Sequence, residues 1–315
     1  AGPISGDVVG QLTGSGLNGA LLSYVLVGGS DQISGVAAFT GAAQSTVTPY
    51  RLAGVSAADP NPPATQFPGG VYPVGGVVPI PVILGGYNNS ASVTTDGPGN
   101  LTGFRSDGSY VSGLYNISKG AAVATGLGTD SISGISWGRW DGSSFTSTNA
   151  VTAAPGIVNT GSAHWIASPT LVGPVTLPVT GTFNYVLAGG TAPTDSLGGT
   201  GTLNSASLVA NFTAQTVTVG INVTTTNAGN LIASAANLPI EQKSFFNAAT
   251  AGAINGGGVP GSMTVTCGAG CTGTPQGQLG GVFAGSGGLG AAVLYGFAAG
   301  ANNTTIVNGV AAFHR

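Results

Sequence analysis

Apolar and polar residues alternate with a period of two over much of the chain, which predicts β-strands. The alternation is strictest in residues 214–223 and recurs at 182–187 and 201–212. Val, Thr and Gly are abundant, whereas the helix formers Glu, Lys and Arg are scarce. One short helix is expected at residues 239–250, where Pro239 and Glu241 would occupy the first turn. The pattern therefore predicts an all-β fold with one short helix.

Two stretches at opposite ends of the chain look like copies of one another. Residues 10–39 resemble residues 281–313, and the run Gly-Val-Ala-Ala-Phe occurs at both 35–39 and 309–313. Internal duplication indicates a repeated structural unit, here two strands joined by a Gly-rich turn. The other aligned pairs are Gly10 with Gly281, Gly14 with Gly285, Ser15 with Ser286, Leu17 with Leu289, Ala20 with Ala292, Leu22 with Leu294 and Tyr24 with Tyr295.

Composition shifts along the chain predict three regions. Residues 1–46 form an N-terminal β-hairpin unit, which is the repeat of residues 277–315. Residues 47–179 begin with a Pro- and Gly-rich extended segment, because clustered Pro disfavours central strands, and continue as a β region with Asp-Gly turns. Residues 180–315 form the third region, in which the alternation of apolar and polar residues is clear.

The charge content limits the classes of partner. Only 5% of the 315 residues are charged and the net charge is −3, against about 25% charged residues in ordinary domains. Nucleic acid is not an expected partner, because binding to phosphates needs clustered Lys and Arg. No transmembrane helix is predicted, since the longest apolar run, 71–84, is interrupted by Pro and Gly. A surface with so little charge suits a protein that meets other copies of itself.

The two cysteines, Cys267 and Cys271, are separated by three residues and flanked by strand-like sequence. We predict a disulfide that closes a hairpin tip, which implies an oxidising compartment. Two free thiols in a loop are the alternative. The first residues, Ala-Gly-Pro, are typical of a mature protein after signal removal. These features together predict a secreted or cell-surface protein.

Two motifs that usually carry chemistry are weighed against structural roles. Residues 14–19 and 285–290 fit the dinucleotide pattern G-x-G-x-x-G, but strands follow them, so turns are favoured. Ser136 lies in a Gly-x-Ser-x-Gly pattern, with His164 and Asp141 as conceivable base and acid. A strand end and a hairpin turn follow Ser136 where a nucleophile elbow needs a helix. We therefore predict no catalytic residue, no metal ligand and no cofactor.

An aromatic group is the remaining candidate for a site. At strand spacing, Trp137 and Arg139 share one face of a strand and Trp140 lies on the other. Arg139 could stack on an aromatic ring, with Trp165 as a candidate. A structural role is favoured for these residues. An exposed cluster of Trp137, Arg139, Trp140 and Trp165 would instead favour binding.

Residues 180–315 resemble the C-terminal barrel domain of the transferrin-binding-protein-B-like surface proteins. The resemblance rests on the opening strand at 181–185, on the run at 208–213 before a strongly alternating strand, and on the closing motifs at 277–285 and 309–315. It covers less than half of the chain. It implies a small antiparallel eight-stranded barrel exported to the cell surface. The N-terminal β region that precedes it is predicted from the strand patterns alone. It carries over no ligand site.

The functional expectation is a non-enzymatic structural protein whose partner is itself. The duplicated hairpin could pair with the sheet of a neighbouring copy and build a filament, a sheath or a surface layer. The alternative is a cell-surface β-barrel binding module for haem, a metal carrier or a host protein. A hydrolase built on Ser136 is a third class. The residues expected in the assembly contact are Leu12, Leu17, Leu22, Tyr24, Val36 and Phe39.

Overall fold

The computed structural model is nearly all β, as the two-residue alternation predicts. Contacts divide the chain into two compact units, residues 1–48 and 49–315. The structure describes residues 4–13, 19–28, 31–40, 50–59, 80–89, 93–105, 115–142, 145–149, 155–159, 162–169, 175–241, 245–250, 262–300 and 303–315.

The first unit is a three-stranded antiparallel sheet in the order β1-β2-β3. Its strands are β1 (Ile4–Thr13), β2 (Gly19–Gly28) and β3 (Asp31–Thr40). Tyr24 in the central strand pairs with Val8 on one side and with Gly35 on the other. The repeated unit therefore has three strands, where the sequence had suggested two.

The second unit begins with two five-stranded antiparallel sheets. One has the order β5-β4-β13-β10-β9 and the other β12-β11-β8-β7-β6. Their strands are β4 (Tyr50–Asp59), β5 (Ile80–Asn89), β6 (Val93–Thr95), β7 (Leu101–Arg105), β8 (Tyr115–Ser118), β9 (Val123–Thr129), β10 (Ser136–Asp141), β11 (Phe145–Asn149), β12 (Pro155–Asn159) and β13 (Ala163–Ala167).

A core fills the space between these two sheets. Trp140 and Trp165 from the first sheet are fully buried against Leu101, Phe104 and Ile117 from the second. The indole N–H of Trp140 donates a hydrogen bond to the Leu101 carbonyl oxygen, 2.9 Å away. This bond satisfies the one polar group that Trp140 brings into the core.

A nearly closed antiparallel barrel completes the second unit and confirms the predicted barrel. Its path is β19-β21-β22-β23-β14-β16-β17-β18-β20, with the short β15 paired to β23, so it has more strands than the eight expected. The strands are β14 (Thr182–Gly190), β15 (Thr194–Asp195), β16 (Gly201–Asn211), β17 (Thr216–Thr225), β18 (Gly229–Pro239), β19 (Phe245–Ala249), β20 (Met263–Cys267), β21 (Gln276–Ala284), β22 (Gly290–Ala299) and β23 (Thr305–His314).

The short helix expected at residues 239–250 is wrong for the residues that the structure describes. Pro239 ends β18, and residues 245–249 form β19 instead. Phe246 and Ala248, two residues apart, both enter the barrel core, which is the spacing of a strand. Phe246 also fits over Gly281 of β21, where a Cβ would collide with its ring. Packing across the barrel thus overrides the local helix signals. Residues 242–244 lie outside the described residues.

Strands β21–β23, the second copy of the repeat, are buried on both faces. Their inward side chains, such as Leu279, Tyr295 and Phe313, belong to the barrel core. Their outward side chains, such as Val282 and Val310, pack against the first sheet of the unit. That sheet contributes Trp137 and Ile166, and Ile135 directly before β10 joins them.

Strand register corrects the alignment of the two copies. Tyr24 pairs with Gly35, and Tyr295 pairs with Gly309 in the same way. Ala20 faces Phe39 as Ala291 faces Phe313, so Ala20 matches Ala291, and Leu22 matches Val293. The sequence alignment was one residue out at these two positions. The copies then align without a gap until the turn after the central strand, which is longer in the second copy.

Candidate functional site

A group of hydrogen-bonded polar side chains lies where the β5-β4-β13-β10-β9 sheet meets the barrel. His164 lies at the centre and is fully buried. Its Nδ1 lies 2.6 Å from the Thr191 hydroxyl and its Nε2 lies 2.8 Å from the Thr194 hydroxyl. Burial, with a smaller contribution from the nearby Arg139 charge, lowers the pKa of His164 to about 3. The ring is therefore neutral at physiological pH, and both of its nitrogens are engaged.

An ion pair lies beside this histidine. The Arg139 Nε is 2.7 Å from a carboxylate oxygen of Asp141, and the guanidinium also donates to the Ala192 carbonyl oxygen. Ser162 and Thr125 donate hydroxyl hydrogen bonds to the same carboxylate. Burial alone would raise the pKa of Asp141, but the bonds from Arg139, Ser162 and Thr125 outweigh it and hold the pKa below its usual value.

The carboxylate of Asp195 also accepts several hydrogen bonds. The donors are the backbone N–H groups of Leu197, Gly199 and Asn227, and the Asn227 side chain. Burial raises the pKa of Asp195, but these donors, led by the Asn227 side chain, lower it further than burial raises it. A carboxylate with this many donors fixes a turn and has little capacity left for proton transfer.

Asp130 links the β9–β10 turn to the last strand of the barrel. Its carboxylate accepts from the Ser133 N–H and hydroxyl, and it lies 2.9 Å from the His314 Nδ1. Burial acts to raise the pKa of Asp130, and the bonds from Ser133 and His314 bring it below its usual value. Gly290 lets Ser133 approach the barrel wall, since a Cβ there would collide with that side chain.

The predicted aromatic cluster does not lie on the surface, because all three Trp rings are buried. Trp137 fits between Gly128 and Gly189, where added methyl groups would collide with its ring. Stacking of Arg139 on Trp165 is wrong for a reason of register. Trp165 pairs with Gly138 and so faces the opposite side of the sheet from Arg139.

Ser136 and the Gly-rich motifs have structural positions. Ser136 begins strand β10 and donates a hydrogen bond to the Ala167 carbonyl oxygen, 3.3 Å away. No described helix follows it. Residues 286–288 form a short 3₁₀ turn between two strands, so the C-terminal G-x-G-x-x-G pattern is a turn. Residues 14–18 of the N-terminal pattern lie outside the described residues.

The predicted disulfide between Cys267 and Cys271 is present. It closes the loop after β20, where Gly229 packs tightly against Gly270 and Cys271. The structure thus confirms the link between the two cysteines. The expected hairpin is not formed by the flanking strands, since β20 pairs with β18, and β21 pairs with β19 and β22.

The residues predicted for an assembly contact lie in the first unit. Val36 and Phe39 are exposed, and Leu22 and Tyr24 are half-buried. The backbone of Leu12 lies in β1, but its side chain is outside the described part of the chain, as is the whole of Leu17. The assignment of these residues to a contact surface stays a prediction.

One patch on the second unit combines exposed apolar side chains with a hydrogen-bonded Asp–His pair, and sequence reasoning missed it. Val186 of β14 is 60% exposed and pairs directly with His314 of β23. His314 bonds to Asp130, and Ile132, two residues further along, is 51% exposed. We call Ile132, Val186 and His314 the outer patch. Long-range pairing brings these residues together, so local sequence gave no signal for it.

Within the described residues, no group of three or more His, Cys, Asp or Glu side chains is arranged to hold a metal ion. Among the same residues, no helix is long and apolar enough to cross a membrane.

Comparison with known proteins finds similar solved structures only. No family model and no curated protein matches the chain. A double mutant of transferrin-binding protein B from Haemophilus parasuis Hp5 aligns with 98% of this chain and 53% of its own, at 9% identity and a TM-score of 0.37. The isotype 1 protein from serogroup B Neisseria meningitidis aligns with 98% of this chain and 52% of its own, at 8% identity and a TM-score of 0.35.

These neighbours include the protein type that residues 180–315 resemble, and the likeness is a distant one of β fold at most. The chain spans about half the length of these structures and is too dissimilar from them to carry an argument about mechanism. The prediction that the partner is a further copy of the chain is nevertheless wrong on these findings. The neighbours are titled for binding transferrin, and nothing among them points to self-assembly.

Proposed function

We propose that residues 49–315 form a non-enzymatic binding module that presents the outer patch to a protein partner. The observation that carries this proposal is the pairing of the exposed Val186 with His314, whose bond to Asp130 ties it to the turn that carries the exposed Ile132. Apolar side chains beside a fixed polar group are the combination that protein interfaces use, the first for affinity and the second for orientation.

The state of the chemically reactive side chains supports a binding role over catalysis. His164 is buried and neutral, with both ring nitrogens engaged. The carboxylates of Asp130, Asp141 and Asp195 each accept several hydrogen bonds that fix turns or strands. These groups hold a rigid scaffold, and a rigid scaffold lowers the entropic cost of binding at its surface.

The disulfide between Cys267 and Cys271 supports a location outside the cytoplasm, since such bonds persist in oxidising compartments. A cell-surface or secreted module that binds another protein is therefore the function we propose. This is the alternative that the sequence had left open, narrowed from haem or a metal carrier to a protein. The choice of a protein partner follows from the outer patch, which offers apolar contacts and one hydrogen-bonded polar pair.

Binding assays on immobilised chain test the proposal. Purified transferrin, the ligand named for the similar structures, is the first probe, followed by a panel of other extracellular proteins. Replacing Ile132 and Val186 together, Ile132→Glu with Val186→Glu, is expected to weaken binding at least about tenfold, because it places charge at the centre of the contact.

Ile232→Glu is the matched control, since Ile232 is an exposed apolar residue on another barrel strand, β18. Binding by the control should equal that of the unaltered chain. A chain that binds no protein of the panel, or whose binding the double variant leaves intact, would contradict the proposed site.

A further inference from the structure

The three-stranded sheet of the first unit carries an apolar face that lies open. On that face, Val8 and Ile33 are exposed by more than 60% of their surface and Phe39 by about half. Soluble domains rarely leave so continuous an apolar surface without a partner. We call this the apolar face of the first unit; its members are Val8, Leu22, Tyr24, Leu26, Ile33 and Phe39.

The second copy shows what covers such a face. Matching strand register places the six members opposite six counterparts in β21–β23. Every counterpart lies in the barrel core, enclosed by the strands of the same barrel. The counterparts are, in order, Leu279, Val293, Tyr295, Phe297, Val307 and Phe313.

The opposite face of the first unit mixes polar and apolar side chains. In the second copy, Val282, Leu294 and Val310 contact the sheet outside the barrel. The first copy has Gln11 and Ser23 at the first two of these positions. The third position keeps its valine, since Val36 matches Val310 and is 75% exposed, and Val9 on the same face is 68% exposed. The barrel-type face is therefore the one whose apolar positions are kept throughout.

The edges of the β1–β3 sheet also point to a missing partner. In the second copy β21 pairs with β19 and β23 pairs with β14. Among the described strands, the matching edges of β1 and β3 have no neighbour. A three-stranded sheet with open edges and an open apolar face has little stability of its own.

We propose that β1–β3 are the closing strands of a second barrel, and that their partner is a segment of antiparallel strands from outside these 315 residues. The partner has the chemistry of β14 and β16–β18: apolar side chains alternating toward the face, with free backbone groups at both of its edges. It extends the sheet at β1 and β3 and covers the apolar face. This proposal is independent of the binding role of the outer patch.

A transplant within the full chain tests the proposal, with the chain's own β14 and β16–β18 as the probe. Residues 277–313 are replaced by residues 6–39, with Gln11→Val and Ser23→Leu in the transplanted copy to restore the outward contacts. We expect the barrel to fold, with one cooperative unfolding transition and slow hydrogen exchange at the β14 amides that pair with the closing strand.

The control transplant uses residues 7–40, because a slip of one residue turns the apolar face outward. It should lose the slow exchange in β14. Loss of the barrel in the first transplant, or equal folding of both, would overturn the proposal.

The oligomeric state of the unaltered chain, measured by sedimentation, provides a second test. The proposal expects no association through the apolar face. A dimer that Ile33→Asp and Phe39→Asp dissociate would assign the face to a second copy of the chain, and the proposal would then be wrong.

Discussion

The two copies of the repeat have the same strand register and opposite surroundings. Val36 and Val310 occupy matching positions, yet Val36 is 75% exposed and Val310 is fully buried. Phe39 and Phe313 show the same contrast, at 53% and 0% exposed. Similar local sequence thus specifies the same strands and pairing, while the surrounding chain decides whether those strands become a core. The comparison yields four predictions.

The largest expected effect is at the matched phenylalanines. Phe313→Ala should lower the free energy of unfolding of the second unit by about 3–5 kcal/mol, because it leaves a cavity in the barrel core. Phe39→Ala should change stability by no more than about 0.5 kcal/mol, as at an exposed site. Urea denaturation of both variants measures the contrast, and equal losses would show that the first copy is buried in solution.

Acid should lower the stability of the second unit, which contains the second copy, through protonation of His164. Its pKa of about 3 in the fold lies below the unfolded value of 6.5. Between these values the unfolded chain binds a proton that the folded chain does not. Stability should therefore fall as the pH drops from 6.5 toward 3, with a slope of up to about 1.4 kcal/mol per pH unit.

His164→Gln removes this titration and should flatten the pH dependence between pH 6.5 and 4. Denaturation at several pH values provides the measurement. An unchanged slope in the variant would show that another group causes the acid sensitivity.

The Tyr–Gly pairs provide a finer test. Tyr295 covers Gly309 and Tyr24 covers Gly35, and a methyl group at either glycine would collide with the ring. Gly309→Ala should cost about 1–3 kcal/mol, since the fully buried Tyr295 ring has no room to move. Gly35→Ala should cost less, because Tyr24 is half-buried and can swing outward. Thermal melts compare the two, and the expectation fails if Gly35→Ala is the more harmful change.

The smallest effect is expected at Ser136, in the sheet that covers the second copy. Ser136→Ala removes one hydrogen bond of 3.3 Å to the Ala167 carbonyl and should cost about 0.5–1.5 kcal/mol. It should leave the response in a broad esterase screen unchanged. Esterase activity that is present in the unaltered chain and absent from the variant would restore the hydrolase hypothesis.

Local chemistry made part of the fold predictable. Alternation at residues 214–223 predicted the strand that the structure shows as β17, and the spacing of Cys267 and Cys271 predicted their disulfide. Prediction failed where distant residues compete with local signals. Pro239 and Glu241 indicated a helix start, but Phe246 lies in a strand because its ring fills the space above Gly281.

The candidate site was not predictable for a similar reason. Ile132, Val186 and His314 are far apart along the chain and meet only through the pairing of β14 with β23 and the Asp130–His314 bond. For the tryptophans the error is the opposite one, because sequence reasoning allowed a site that the structure does not form. Their clustering in sequence allowed a surface cluster, but Gly128 and Gly189 leave room for Trp137 to be buried between them.

The sequence by itself determined many of the strands, their alternating faces and the existence of the duplication, because these depend on side-chain alternation and on glycines within a few residues of one another. Only the tertiary structure decided that β21–β23 are buried on both faces while β1–β3 expose the same apolar pattern. Burial is a property of the contacts that a strand makes. Those contacts come from strands far away in the chain, so two segments of similar sequence can end in opposite environments.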